Sequence, residues 1–221
     1  MNTLLPAIEL TTDHNPSTSV IWLHGLGADG NDFVPVVKEL NLPEDKPIRF
    51  IFPHAPMRPI TINSGYVMRG WYDLGLVGGQ LTSKEDDIRA SQQALEALIE
   101  REIERGIAPE KIILAGFSQG GVMALQTGLR YPKRLGGILA LSTYLALANS
   151  LSVERSEANA AIPIYMAHGN QDPIIPLVMA TNSRNELQRL GYQVEWHEYT
   201  MQHSLCIEEI ESIGQWLGKV I

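Results

Sequence analysis

Six short apolar runs alternate with helical patterns along this chain. The runs are Ser19–His24, Pro47–Phe52, Lys111–Phe117, Leu135–Leu141, Ile162–Ala167 and Gln193–Tyr199. Most are continuous rather than alternating, as strands covered on both faces are. The segment Asp32–Leu40 carries a helix pattern. In Glu85–Arg105, residues Ile88, Leu95, Leu98, Ile99 and Ile103 share one face, and Gly106 supplies a stop. Helix patterns also cover Gln119–Arg130, Leu177–Leu190 and Ser204–Leu217, the last with Cys206, Ile210, Ile213 and Leu217 on one stripe. Such alternation predicts an α/β fold, a mainly parallel sheet with helices on both faces. No repeat, low-complexity tract or linker divides the chain, so residues 1–221 read as one domain.

Composition narrows the function. Seventeen Lys and Arg against 25 Asp and Glu leave a formal net charge of −8, which disfavours nucleic acid and anionic membranes as partners. No run approaches the ~18 apolar residues of a spanning helix, so no stable membrane insertion is expected. Residues Met1–Pro16 lack the basic and apolar regions of a secretory signal. Cys206 is the one cysteine, which excludes an intrachain disulfide and fits a reducing compartment. A cytoplasmic, soluble protein is the expectation. Neither a zinc-ligand pattern nor a Walker motif is present, so no metal or cofactor is expected.

Gly116-Phe117-Ser118-Gln119-Gly120 matches G-x-S-x-G between a strand and a helix pattern. Small neighbours let a tight strand-to-helix turn close, and the serine hydroxyl then stands clear of the sheet. A nucleophilic serine needs a base, and the base an orienting acid, in the chain order Ser, Asp or Glu, His. Asp172 follows one strand and His203 another, so both lie on loops at the edge that carries Ser118. The three read as nucleophile (Ser118), orienter (Asp172) and general base (His203). His168 ends a strand and His197 lies inside one. His14, His24 and His54 precede the serine, and Glu195 and Glu198 sit in a strand pattern.

Gly25-Leu26-Gly27-Ala28-Asp29-Gly30 reads as G-x-G-x-x-G, the dinucleotide fingerprint, and raises a nicotinamide- or flavin-dependent oxidoreductase as the rival. The second strand, however, ends Phe52-Pro53-His54, without the carboxylate that would hold a ribose. An oxyanion site suits the loop better, with the backbone N–H groups of Leu26 and Gln119 as donors.

The motifs Trp22–Gly27, Phe52-Pro53-His54-Ala55-Pro56, Gly65–Met68, Trp71-Tyr72-Asp73, Gly116–Gly121, His168–Pro173 and Gln202-His203-Ser204 span the whole chain. On these it resembles the small serine carboxylesterases, acyl-protein thioesterases and lysophospholipases of the α/β-hydrolase superfamily. The resemblance implies cofactor-free cleavage of carboxylic esters or thioesters, with the same triad and oxyanion donors. Ala28 and Arg69-Gly70 depart from the thioesterase pattern and look more like bacterial general carboxylesterases. It further implies an apolar acyl groove covered by Thr61–Leu81, lined by Trp71, Leu74 and Leu76 together with Ile174. That segment holds five glycines and no clear period. Exposed Trp and Leu within it would support a homodimer. Since strands and helices use nearly all of the chain, no separate cap domain is expected, and the groove should be shallow and open. A catalytically silent acyl-binding module is the alternative of a different class.

Overall fold

A computed structural model describes residues 4–43 and 45–221. Its elements run β1 Ala7–Thr11, β2 Thr18–Leu23, β3 Ile48–Pro53, β4 Met57–Ile60, β5 Tyr66–Arg69, β6 Leu74–Val77, β7 Gln80–Ser83, α1 Glu85–Glu104, β8 Ile112–Phe117, α2 Gln119–Arg130, β9 Gly137–Leu141, α3 Ala148–Glu154, β10 Ile164–Gly169, α4 Leu177–Arg189, β11 Val194–Tyr199 and α5 Ile207–Val220. Seven strands form one sheet in the order β1-β3-β2-β8-β9-β10-β11. The six expected strands pair in parallel; β1 joins the edge antiparallel, with Ile8 opposite Phe52.

The continuous apolar runs have a direct cause. Alternate residues of β2 feed opposite cores: Ile21 and Leu23 meet the α1 and α2 side, with Leu95, Leu98 and Val122. Val20 and Trp22 meet the α5 side, with Ile213, Trp216 and Leu217. Both faces are covered, so neither set of side chains can be polar. No helical cap domain stands over the sheet among the described residues. No helix there is long and apolar enough to cross a membrane.

Two expectations are corrected, and one segment gains a structure that its sequence did not suggest. The Asp32–Leu40 pattern forms turns and a 3₁₀ helix over Pro35–Leu40, entered through three-residue bonds such as the Val36 N–H to the Phe33 carbonyl at 3.1 Å. Cys206 stands one residue before α5 as its extended N-terminal cap rather than on its apolar stripe. The glycine-rich stretch after β3 is ordered, as two antiparallel hairpins, β4–β5 and β6–β7. Gly78 and Gly79, both at positive φ, turn the second one, a conformation that side chains resist.

Candidate active site

The elbow is set by close backbone packing. Ser118 adopts φ 55° and ψ −121°, a strained conformation for a residue with a side chain. It is held there from several directions. Its N–H donates to the Leu141 carbonyl at 2.9 Å, and the Thr143 hydroxyl donates to its carbonyl at 2.7 Å. A Cβ on Gly120 would lie 2.2 Å from the Leu23 carbonyl oxygen, and one on Gly116 would lie 2.2 Å from Gly120. Only glycine lets α2 begin this near the strands, which is the physical content of the G-x-S-x-G spacing.

Asp172 and His203 meet as the chain order required. His203 Nδ1 lies 2.6 Å from Asp172 Oδ2. The other carboxylate oxygen, Oδ1, accepts the N–H groups of Ile174 and Ile175 at 2.8 and 2.9 Å. A carboxylate fixed on one side and bonded to the imidazole on the other presents Nε2 for proton transfer. The Phe117 ring lies 4.7 Å from the His203 ring and limits its tilt. His203 and Ser118 line the same cleft of about 930 Å³. No hydrogen bond joins the Ser118 hydroxyl to His203 among the described residues; such contacts commonly tighten only when substrate is bound. His168 is instead a buried support: its Nε2 donates to the Ile175 carbonyl at 2.8 Å, and burial pushes its pKa down.

Leu26 and Gln119 line the cleft beside Ser118. The first α2 bond is the Val122 N–H to the Ser118 carbonyl, so the Gln119 N–H has no partner within the helix. The loop before Leu26 is fixed by His24. Burial lowers the His24 pKa, leaving a neutral ring whose Nε2 accepts the Ala55 N–H at 3.1 Å and whose Nδ1 donates to the Gly25 carbonyl at 2.7 Å. In the same loop a Gly30 Cβ would lie 2.4 Å from the Phe52 carbonyl oxygen, while the Gly30 N–H donates to His54 Nδ1 at 3.0 Å. The glycine spacing that imitates a dinucleotide fingerprint thus serves close packing of the loop.

The Gln119 side chain has a task that its sequence position did not reveal. Its Oε1 accepts the Trp71 N–H at 3.0 Å and its Nε2 donates to the Tyr72 carbonyl at 2.9 Å. One residue therefore joins the elbow to the strap that leads into the β6–β7 hairpin. Trp71 is corrected from the groove lining. It is fully buried, with its indole N–H donating to the His24 carbonyl at 2.9 Å and the Ser91 hydroxyl donating to its own carbonyl. Those bonds hold it behind the wall, out of reach of an acyl chain or of a second subunit. Leu74, Leu76 and Ile174 do line the cleft. Tyr144, Ile62 and Met179 line it too and were not foreseen. Tyr144 lies on the loop just past β9, so the rule that loops after parallel strands build the site reaches it, whereas Met179 lies in the first turn of α4.

Comparison with known proteins identifies the family. Residues 6–221 match the Phospholipase/Carboxylesterase family. Acyl-protein thioesterase 1 of Gibberella zeae is 40% identical over 92% of this chain and 90% of its own length. The Neurospora crassa protein of that name is 39% identical over 97% and 89%. The crystal structure of Arabidopsis thaliana SOBER1 superposes with a TM-score of 0.85 at 31% identity, covering 91% of this chain and 98% of that one. The chain belongs to the phospholipase/carboxylesterase family of α/β hydrolases and is a serine hydrolase of ester or thioester bonds.

Proposed function

We propose that Ser118, His203 and Asp172 carry this hydrolysis through an acyl-enzyme, on esters and thioesters of short-to-medium acyl chains. His203 Nε2 takes the Ser118 proton as Oγ bonds to the substrate carbonyl carbon. The N–H groups of Leu26 and Gln119 hold the tetrahedral oxyanion. The intermediate collapses, its bond to the alcohol or thiol breaks, and His203 returns the proton to that leaving group. Water then attacks the acyl-enzyme with His203 as base, releasing the acid and Ser118. The acyl chain lies along Leu74, Leu76 and Ile174, whose burial against it supplies binding at ~25 cal/mol per Å².

The observation that carries this reading is the 2.6 Å contact of His203 with Asp172 in the cleft that also holds the strained Ser118. Ser118→Ala should abolish turnover of p-nitrophenyl butyrate and labelling by a fluorophosphonate probe. Retention of both by the variant would falsify the assignment. A wild-type chain that neither turns over nor labels is the silent acyl-binding module.

The names of the fungal relatives support thioesters on proteins as substrates. The family description supports lysophospholipids as the alternative. A series of acyl-thioesters and lysophosphatidylcholines, compared by kcat/KM, decides between them. The lone, half-buried Cys206 is compatible with a reducing cytoplasm. Exposed Leu76 and Val77 are compatible with a homodimer, to be read by sedimentation.

A further inference from the structure

A second groove adjoins the catalytic cleft. It has a volume of about 590 Å³ and runs between α3 and α4. Tyr144 and Met179 line both spaces. Tyr144 is a fixed post at the junction, since its hydroxyl lies 3.0 Å from those of both Tyr72 and Ser83. The two spaces differ in chemistry. The cleft side is lined by Ile62, Leu74, Leu76 and Ile174. The groove side is lined mainly by polar groups, Asn149 and Ser152 from α3 and Asn182, Glu186 and Arg189 from α4, with Leu145 and Ala148 beside them.

We propose that this groove is a second subsite, which receives an extended polypeptide segment on the leaving-group side of the scissile bond. The proposal rests on the thioesterase reading above. Three arguments select the occupant. An acyl chain would gain little against amide and hydroxyl side chains, which lose hydration when it covers them. The carboxamides of Asn149 and Asn182 offer both donors and acceptors, the pair that a peptide unit requires. Glu186 and Arg189 form an ion pair of 2.7 Å, so the groove presents no uncompensated cation to a phosphate. Length agrees. From Met179 to Arg189 is ten steps of helix, about 15 Å at 1.5 Å each. That is room for four or five extended residues at ~3.3 Å each, and more than a small thiol fills.

The test uses two thioesters with one acyl chain, one on the cysteine of a neutral six-residue peptide and one on N-acetylcysteamine. The wild-type enzyme should show a KM at least fivefold lower for the peptide. Asn182→Trp fills the groove from the exposed side of α4, and Asn149→Trp does so from α3 should the first variant fold poorly. Either should raise the KM for the peptide at least fivefold more than that for N-acetylcysteamine. Equal wild-type KM values, or equal increases in the variant, overturn the subsite. A loss confined to lysophosphatidylcholine also overturns it, in favour of a lipid headgroup. Hydrolysis of p-nitrophenyl butyrate reports on Ser118 alone. Where it is present, a failure belongs to the groove; where it is absent, both readings fall.

Discussion

The two walls of the catalytic cleft are built on different principles. One is the carboxyl edge of the parallel sheet. Ser118, Asp172 and His203 sit on loops after β8, β10 and β11; Ser118 and Asp172 are bonded to backbone groups, and His203 to the Asp172 carboxylate. The other is the pair of hairpins from Met57 to Ser83. They lie outside the main sheet and expose Leu76 and Val77, which are 54% and 69% accessible. The contrast teaches where chemistry and selectivity are divided. Bond cleavage needs groups held within fractions of an ångström. On the proposed reading, acyl recognition needs only apolar area, of the kind that Leu74 and Leu76 of the small hairpin present to the cleft. Gln119 bonds across the division, from the elbow to Trp71 and Tyr72, and Tyr144 does so beyond β9, to Tyr72 and Ser83.

Damage to the sheet edge should have the largest effect. Asp172→Asn places an amide against His203 and favours the wrong tautomer, so kcat should fall by about 10³- to 10⁴-fold. Melting near the wild-type temperature, measured alongside, would show that chemistry rather than folding was lost. A loss below tenfold would mean that the sheet edge does not act as a triad.

The helix beneath that edge should show a pH signature that the hairpins lack. Glu209 on α5 is fully buried, and neither of its carboxyl oxygens has a hydrogen-bond partner among the described residues. Burial pushes its pKa up to about 8. The folded chain then holds a proton that the unfolded chain releases near pH 4.5. Stability therefore declines as pH rises through that window and levels off above pH 8. Between pH 5.5 and 8.5 the decline is on the order of 3 kcal/mol, at ~1.4 kcal/mol per unit. Glu209→Gln keeps the shape without the titration. Urea melts of the variant should lose that slope; parallel wild-type and variant slopes would refute the assignment. Glu102 is an instructive opposite. Burial raises its pKa too, yet the Ser19 hydroxyl at 2.6 Å and Arg49 at 2.7 Å overcome this and hold it below the usual range.

Cutting the link between the walls comes next in size. Gln119→Met removes both side-chain bonds and keeps the backbone N–H. Two neutral hydrogen bonds are worth ~1–3 kcal/mol, so kcat should fall by roughly tenfold or more. KM for short esters should move less than kcat, a split that separates misplacement of the oxyanion loop from lost binding. The smallest effect belongs to the hairpin. Leu76→Ala should lower the preference for hexanoyl over butyryl p-nitrophenyl esters by a few-fold, at ~0.8 kcal/mol per buried CH₂, with little change in kcat for butyrate. An unchanged chain-length series would take Leu76 out of the acyl groove.

Much of the frame was legible in the chain because burial on both faces leaves a plain record. Strands β2, β3, β8, β9 and β10 are largely apolar runs and β11, at the edge, a mixed one, and their order with the helices locates Ser118, Asp172 and His203 on one edge. Strand β1 escaped because an antiparallel edge strand is only half covered, and five residues carry too little pattern. The hairpins escaped for another reason. Four-residue strands have almost no period, and Gly78 and Gly79, which form a two-residue turn, look in the sequence like two more glycines of a glycine-rich stretch. Trp71 was placed in the groove by resemblance. What buries it is a set of bonds to His24, Gln119 and Ser91, distant residues that no local pattern connects.

The close seating of Gly120 on Leu23 sets limits for anyone who would redesign this enzyme. A single methyl group there would collide with a main-chain carbonyl that has nowhere to retreat, so libraries that randomise the elbow spend their diversity on unfolded chains. The open surfaces around Leu76, Ile174 and Asn182 accept change at little structural cost. New substrate ranges should therefore be sought by rewriting the rim while the hinge of the elbow is left untouched.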